Sequence, residues 1–298
     1  MVLTLPGFHR ILGTDLDAVA LEPARFANGE LVVRLPRPVA GRACVLVGSV
    51  SPPEERLAIL LLAADTLKRH GAVHVEVVLP YLAYTRQDRL EAQTSLACAW
   101  LGRVLKASGI DTVLTVDVHS GEAVRLLGLP VRSLSPAAVL ADALRDVDDA
   151  AVIVAPDEGA RGRAGELAAA LGAHHPRVWL RKRRTRAGVE HVSLHGEVRP
   201  SAVVVDDILD TGGTLISCCH ELRRRGVHTI DIAVTHGLFT GDGWRELLGL
   251  VRTIHVTDTV PEAQAHAGPS VRVHGVARLL RAALAGPGGA RARESRVR

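Results

Sequence analysis

The sequence of 298 residues is poor in aromatic residues and in lysine. Phe, Trp and Tyr make up only 3% of the chain, so its core must consist of aliphatic side chains. Lysine occurs at three positions (Lys68, Lys106 and Lys182), and arginine supplies almost all the positive charge. The basic residues are interleaved with acidic ones and the net charge is only +4. This distribution favours a small anionic substrate over a nucleic acid.

Neither metal-site cysteines nor long apolar runs are present. Cys44, Cys98, Cys218 and Cys219 show no metal-site spacing, and the neighbours Cys218 and Cys219 cannot easily form a relaxed disulfide. A reducing compartment is the simple interpretation. The N-terminal segment MVLTLPGFHR lacks the charged and apolar regions of a signal peptide. The apolar run Ala58–Ala64 is far shorter than the roughly 20 residues that span a bilayer. We therefore expect a cytoplasmic protein without nucleic-acid or membrane partners.

Short apolar runs alternate with longer segments of helical character. The runs are nearly continuous in Val, Ile and Leu, as expected of strands covered on both faces. The predicted strands are Cys44–Val47, Val73–Leu79, Thr112–Val116, Ala151–Val154, Ala202–Val205, Thr229–Val234 and Thr253–Val256. The predicted helices are Glu54–His70, Ser95–Ser108, Ala137–Arg145, Ala160–Leu171 and Thr214–Arg225. This alternation predicts an α/β fold with largely parallel sheets.

Two segments resemble each other and indicate two related halves. The segments VLTVDVHSGE (113–122) and VVVDDILDTGG (203–213) both run from an apolar strand through Asp into a glycine-containing turn. A break is plausible near Leu134–Ser135–Pro136 or in the acidic stretch Arg145–Ala150. We predict domains at 1–140 and 141–285, followed by a disordered, glycine- and arginine-rich tail at 286–298.

The segment VVVDDILDTGGT, Val203–Thr214, has the properties of a binding site for a sugar phosphate. The predicted strand ends in Asp206–Asp207, and Asp210–Thr214 turns through two glycines into a helix. Glycines and a helix N-terminus let backbone N–H groups converge on phosphate. Ionised carboxylates accept hydrogen bonds only, so they suit the vicinal hydroxyls of a ribose. The alternative is an ordinary strand–turn–helix connection with capping side chains.

This segment resembles the PRPP-binding loop of type I phosphoribosyltransferases and of ribose-phosphate diphosphokinases (PRPP synthetases). Seven further segments resemble the diphosphokinases. They are FANGELVVRL (26–35), PYLAYTRQDR (80–89), TVDVHSGE (115–122), VAPDEGARGRA (154–164), RKRRT (181–185), THGLFTG (235–241) and VTDTVP (256–261). Asn28 stands where this family usually has Asp, and RLEAQTSLA departs from the family pattern.

The resemblance implies two tandem type I phosphoribosyltransferase-like domains, each with a largely parallel central sheet flanked by helices. It also implies residue roles. Ribose 5-phosphate would be bound by Asp206, Asp207, Asp210, Thr211, Gly212, Gly213 and Thr214. ATP would be bound by Phe26, Asn28, Glu30, Arg86, Gln87, Asp88 and Arg89. Magnesium would be held by His119 and Asp157. Lys182 and Arg184, on a mobile loop in the family, would stabilise the transferring group.

The reaction implied is the transfer of pyrophosphate from Mg-ATP to the C1 hydroxyl of ribose 5-phosphate, giving PRPP and AMP. The family forms homo-oligomers, dimers or hexamers. Two alternatives stay open: a PRPP-using phosphoribosyltransferase and a non-catalytic regulatory relative. Individual motifs also have plainer interpretations. FANGE could be an edge-strand turn, Asp157 a helix cap, and RKRRT a solvated strand end.

Overall fold

The computed structural model describes residues 1–13, 17–172, 175–185 and 188–285, and the side chains of all of these except 182–185 and 188–192. The chain divides into two compact units. Of the described residues, the first unit comprises those of Met1–Leu134 and 277–285, and the second comprises those of Ser135–Val276. None of the described helices is both long and apolar enough to cross a membrane.

The first unit is built on a parallel sheet. Its strands are β1 (Val2–Thr4), β2 (Ala18–Ala20), β3 (Ala24–Arg25), β4 (Leu31–Val32), β5 (Ala43–Val47), β6 (His74–Leu79), β7 (Thr112–Val116) and β8 (Val131–Leu134). Its helices are α1 (Glu55–Arg69), α2 (Ala97–Ala107), α3 (Gly121–Leu127) and the C-terminal helix Ala277–Leu284. Six strands form a parallel sheet in the order β2-β1-β5-β6-β7-β8, and β3 and β4 form a separate antiparallel pair.

The second unit contains a larger sheet of seven strands. They are β9 (Val152–Ala155), β10 (Arg177–Thr185), β11 (Gly188–His195), β12 (Ser201–Leu209), β13 (Thr229–Gly237), β14 (Thr253–Thr257) and β15 (Val271–His274). Its helices are α4 (Ala137–Ala143), α5 (Arg161–Leu171), α6 (Gly213–Arg224) and α7 (Leu247–Leu250), with 3-10 turns at Gly243–Glu246 and Pro261–His266. The strand order is β11-β10-β9-β12-β13-β14-β15, and every pair is parallel except the β10–β11 hairpin.

Strand β12 shows why the central strands are continuously apolar. Val203 and Val205 pack in the core that includes α5, whereas Ala202 and Val204 pack in the core that includes α6. Both faces of the sheet are therefore covered, which confirms the interpretation of the apolar runs. All four cysteines are buried free thiols.

The C-terminal helix Ala277–Leu284, named α8, belongs to the first unit rather than to the predicted second domain. Its Arg281 side chain donates to the carbonyl oxygen of Leu12 at 2.8 Å, and Arg132 donates to the carbonyl oxygen of Ala283 at 2.9 Å. The units divide after Leu134, earlier than the predicted boundary at 140. The predicted tail at 286–298 lies outside the described residues.

Candidate active site

The predicted phosphate loop, Asp210–Thr214, joins the carboxyl end of β12 to the start of α6. Gly212 precedes the helix with a φ of 88°, in the left-handed region that glycine enters without strain. Within the described part of the chain, the N–H groups of Gly213, Thr214 and Leu215 have no acceptor and no side chain caps the helix. A helix N-terminus with unpaired N–H groups attracts an anion.

The loop is accessible from solvent. Thr211 is exposed, and Asp210 and Thr214 are partly exposed. A Cβ added at Gly213 would meet no protein atom within 4 Å, so packing does not require glycine at that position. The loop therefore presents backbone N–H groups and two hydroxyl groups at its surface.

Asp206 and Asp207 lie inside β12 and not after it, so the predicted end of this strand at Val205 was wrong. The strand continues because β13 continues beside it, and the pairing extends to Leu209 opposite Gly237. The Asp207 N–H donates to Asp206 Oδ1 at 3.0 Å. The two carboxylates are thus held by the sheet, directly before the loop.

A third carboxylate, Asp157, belongs to the same cluster. It follows β9, the parallel neighbour of β12, so the two strands end at one edge of the sheet. Burial, followed by the charges of Asp207 and Asp157, raises the pKa of Asp206 well above its ordinary value. Such a cluster is unfavourable by itself, and a cation or hydroxyl donors would stabilise it.

Asp157 also supports the turn before α5, although it does not cap that helix. The N-cap of α5 is Ala160, and no side chain caps it. Asp157 Oδ1 accepts a hydrogen bond from the Ala160 N–H at 3.0 Å. This contact fixes the orientation of the carboxyl group relative to the sheet edge and is compatible with membership of the acidic cluster.

Arg163 was not assigned a role in the sequence analysis, although it lies within the segment 154–164. Its Nη2 is 3.5 Å from Asp207 Oδ2, and the two side chains are 16% and 8% exposed. Because both are largely buried, this guanidinium compensates part of the negative charge of the cluster. The sequence did contain an indication of this contact. Arg163 follows Asp157 at a spacing that places its side chain, on the first turn of α5, near the same edge of the sheet.

In the first unit, the segment Arg86–Arg89 combines exposed and anchored side chains. Arg86, Gln87 and Arg89 are exposed, and Gln87 Oε1 accepts from Ser95 at 2.8 Å. Asp88 is different, because its Oδ2 accepts from the Ser120 hydroxyl at 2.5 Å. Asp88 thereby links this segment to the turn that carries His119.

His119 lies, partly exposed, in the turn between β7 and α3. The next residue, Ser120, caps α3 by accepting from the Ala123 N–H at 3.1 Å while donating to Asp88. Asp117 has a φ of 47°, and its N–H donates to the Leu134 carbonyl oxygen at 2.9 Å. The turn is thus fixed from both sides of His119. Ser120 is a further positioning residue without a role in the sequence analysis.

The FANGE segment forms the turn of the β3–β4 hairpin, as its plainer interpretation predicts. The Phe26 N–H donates to the Glu30 carbonyl oxygen at 2.9 Å, and Asn28 Oδ1 accepts from the Glu30 N–H at 3.2 Å. The Phe26 side chain is 53% exposed, which is unusual for a residue of its size. The turn therefore holds Phe26 and Glu30 outward, where both can contact a ligand.

Lys182 and Arg184 lie in β10 of the β10–β11 hairpin, whereas the family resemblance implied a loop. Their backbone is extended because it pairs in antiparallel fashion with β11. The sequence between the two strands did not contain a turn motif strong enough to predict this hairpin. Their side chains lie outside the described residues.

Comparison with known proteins gives a consistent result. Residues 10–109 match the N-terminal domain of ribose phosphate pyrophosphokinase, and residues 137–246 match the phosphoribosyl transferase domain. The ribose-phosphate pyrophosphokinase of Maricaulis maris is 35% identical over 94% of this chain and 93% of its own length. That of Methanopyrus kandleri is 34% identical over 85% of this chain and 88% of its own.

A solved structure agrees with the fold. The phosphoribosylpyrophosphate synthetase from Mycobacterium smegmatis is 27% identical to this chain, with a TM-score of 0.82. The similarity covers 96% of this chain and 98% of that one. It confirms the predicted α/β fold of two phosphoribosyltransferase-type domains. The chain belongs to the ribose-phosphate pyrophosphokinase family of enzymes, as its motifs predict.

Proposed function

We propose that this enzyme transfers the pyrophosphoryl group of ATP to the C1 hydroxyl of ribose 5-phosphate, forming PRPP and AMP. One observation carries the proposal. In the second unit, unpaired N–H groups at the start of α6 directly follow a strand that carries two carboxylates. The two parts suit the two ends of one molecule, a phosphate and a vicinal diol. Membership of the pyrophosphokinase family supports the same substrate.

Ribose 5-phosphate would bind along the end of β12 and the loop. The phosphate would accept from the N–H groups of Gly213 and Thr214 and from the hydroxyl groups of Thr211 and Thr214. The ribose hydroxyls would donate to the carboxylates of the strand, with Asp210 between the two ends. The members of this proposed set are Asp206, Asp207, Asp210, Thr211, Gly212, Gly213 and Thr214.

The first unit would supply contacts to ATP. The exposed ring of Phe26 can stack on a base, and Glu30 can accept from an exocyclic amine. Arg86 and Arg89 suit the phosphates, and the amide of Gln87 suits a polar nucleotide edge. Asn28 and Asp88 would act mainly through the backbone turn and Ser120 that they bind.

The residues present also fit magnesium. Within the described part of the chain, no three His, Cys, Asp or Glu side chains form a metal site. Magnesium commonly binds one or two protein ligands and completes its coordination with phosphate oxygens and water. We propose that His119 and Asp157 each act as such a sparse ligand. When bound, the ion would screen the phosphate charges of ATP.

The transfer breaks the bond between the β-phosphorus and the oxygen that bridges it to the α-phosphorus. The C1 oxygen forms the new bond to the β-phosphorus, its proton is released, and AMP leaves. Such reactions depend mainly on positioning and on stabilisation of developing charge. Lys182 and Arg184 are proposed to provide that charge.

Incubation of the enzyme with ATP, magnesium and ribose 5-phosphate, followed by ³¹P NMR, tests the reaction. We expect AMP and PRPP to appear together and only when ribose 5-phosphate is present. Formation of ADP would instead indicate a simple phosphoryl kinase and overturn the proposal. Binding of ribose 5-phosphate without any AMP would favour the non-catalytic alternative.

Replacement of Lys182 tests its proposed role separately. We expect Lys182→Ala to reduce kcat by roughly 10²–10³, by analogy with the loss of one oxyanion donor. Binding of ribose 5-phosphate, measured by calorimetry, should remain close to that of the unmodified protein. Substitution of Lys68, a lysine paired with Asp111 at 2.7 Å, serves as a control for loss of one lysine charge. Normal turnover of Lys182→Ala would contradict this assignment.

A homo-oligomer, as the family resemblance implies, is also proposed. Sedimentation velocity on the purified protein would distinguish a monomer from a dimer or a hexamer.

A further inference from the structure

The segment that follows β13, Leu238–Glu246, lies against the phosphate loop. The N–H groups of Leu238 and Phe239 both donate to the Leu209 carbonyl oxygen, at 2.8 and 3.1 Å. The Thr240 N–H donates to the Asp210 carbonyl oxygen at 3.2 Å. Because these acceptors lie at the end of β12 and the start of the loop, the loop is bonded to this segment before it enters α6.

The closest approach is between Gly212 and Trp244. A Cβ built on Gly212 would lie 2.9 Å from Trp244 Cα and 3.2 Å from Trp244 Cβ, which is too close for a real side chain. A Cβ on Gly243 would likewise lie 3.2 Å from the Thr211 carbonyl oxygen. The backbone of the loop therefore rests directly on the residue pair Gly243–Trp244.

Trp244 is itself held in an aromatic cluster. Its ring is 4.7 Å from that of Phe239 and 5.2 Å from that of His266, both edge-on. Trp244 is 2% exposed and Phe239 5% exposed, and Phe239 adopts a strained φ of 52°. Trp244 and Phe239 are buried and His266 is partly exposed, and the three rings restrict one another's movement.

The indole N–H of Trp244 adds an unusual feature. It is buried, and it meets no hydrogen-bond acceptor within the described part of the chain. A buried donor without an acceptor destabilises a fold, and such groups are rare in native proteins. Phe would avoid this penalty, so hydrogen bonding does not explain the indole. Its contribution is the packing of the ring against Phe239 and His266. That packing fixes Trp244 Cα and Cβ, the two atoms that lie against Gly212.

We propose that Trp244 is a positioning residue for the sugar phosphate: it sets the conformation of the loop at Gly212 and thereby aims the N–H groups of Gly213 and Thr214. This inference rests on the proposed binding of ribose 5-phosphate at this loop. It also implies that a ligand on the loop changes the surroundings of the indole ring.

Steady-state kinetics of two variants test the positioning role. Trp244→Ala should raise KM for ribose 5-phosphate at least tenfold while KM for ATP stays within twofold. Trp244→Phe, which keeps a ring, should restore most of that loss. Ile254→Ala is the matched control, because Ile254 is fully buried in the same core but belongs to β14. It should lower the melting temperature without changing KM for ribose 5-phosphate.

A fluorescence titration tests the same inference in a protein that keeps Trp244, so it does not depend on whether Trp244→Ala and Trp244→Phe fold. The chain has three tryptophans, and Trp100→Phe combined with Trp179→Phe leaves Trp244 alone. We expect ribose 5-phosphate to change the fluorescence emission of this protein until the site is saturated. Inorganic phosphate should cause the same change at a higher concentration. An unchanged emission at saturating ribose 5-phosphate, or an unchanged KM in folded Trp244→Ala, would overturn the inference.

The outcomes also separate this inference from the proposed reaction. If no PRPP forms but ribose 5-phosphate changes the emission of Trp244, the reaction fails and the positioning role stands. The opposite outcome is that PRPP forms, Trp244→Ala keeps the unmodified KM for ribose 5-phosphate, and ribose 5-phosphate leaves the emission of Trp244 unchanged. In that case the reaction stands and the positioning role fails.

Discussion

Gly212 and Gly213 are adjacent in the loop, yet they are glycine for different reasons. Gly212 has a positive φ and touches Trp244, so both its conformation and its surroundings exclude a side chain. Gly213 has an ordinary conformation and open space where a Cβ would be. Folding therefore requires the first glycine but not the second, and the proposed approach of a phosphate to the loop would account for the second.

This difference predicts opposite effects of two alanine substitutions. Gly212→Ala should lower the free energy of unfolding by at least about 1–2 kcal/mol, because it forces a side chain into the left-handed region. Gly213→Ala should leave that free energy unchanged or raise it by up to about 1 kcal/mol, because alanine is the better helix former. Gly213→Ala should nevertheless weaken the binding of ribose 5-phosphate. Denaturant unfolding and calorimetry measure the two effects, and equal destabilisation by both substitutions would contradict the distinction.

Arg163 gives a second prediction at the scale of a residue. Arg163→Gln should weaken ribose 5-phosphate binding by about 1.5–3 kcal/mol, because it removes the guanidinium that orients the buried Asp207 carboxylate. This change corresponds to roughly a ten- to hundredfold increase in Kd. Arg163→Lys should recover part of the loss, since it keeps the charge.

Arg145→Gln, which removes an exposed arginine of the same unit, is the control and should leave Kd unchanged. A Kd for Arg163→Gln equal to that of the control would show that Arg163 does not position Asp207.

At the scale of elements, β14 and β15 are joined by a pair of histidines. His255 Nδ1 and His274 Nε2 are 3.1 Å apart, and the two rings are stacked. One nitrogen must donate and the other must accept, so the two rings cannot both be protonated in this arrangement. Burial, followed by the charges of His274, Arg272 and Arg252, lowers the pKa of His255 from 6.5 to about 4. Burial and Arg272 also lower the pKa of His274.

This pair should make the second unit sensitive to acid. Between pH 6.5 and about 4 the unfolded chain binds a proton that the folded His255 does not bind, so stability falls as the pH falls. The loss from His255 alone is on the order of 3 kcal/mol across that window.

Urea unfolding at pH 7 and at pH 5 should show a smaller pH dependence for His255→Asn than for the unmodified protein. The exposed His70, changed to Asn, should behave like the unmodified protein. A His255→Asn variant with the unmodified pH dependence would exclude this pair as the cause.

At the scale of the whole molecule, the chain returns to its first unit at its end. Helix α8 supplies Arg281, which binds Leu12, and its Ala283 carbonyl oxygen accepts from Arg132. The first unit is therefore completed only after the second has been synthesised, whereas Ser135–Val276 is continuous in sequence.

Loss of α8 should consequently affect the first unit more than the second. In a protein ending at Val276, we expect faster amide exchange in β1 and β8, while β12 and β13 remain protected. Hydrogen exchange followed by mass spectrometry measures both regions in one sample. Arg281→Ala should give a weaker effect with the same distribution. Equal loss of protection in both units would indicate that α8 is not specific to the first.

The sequence by itself determined the fold class, the strands and helices of strong periodicity, the family and the turn between β12 and α6. These features are local, because apolar period, glycine turns and motif spacing are properties of neighbouring residues. Strands Thr112–Val116 and His74–Leu79, for example, agree with their predictions to within a residue.

Only the tertiary structure decided the features that depend on residues far apart in the chain. The extension of β12 through Asp206 and Asp207 depends on pairing with β13. The β10–β11 hairpin depends on pairing between two strands that the local sequence did not predict. The pairing of Arg163 with Asp207, the contact of Trp244 with Gly212 and the return of α8 likewise join distant segments. Such contacts depend on how the sheets and helices pack, so they cannot be predicted from the residues on either side of each position.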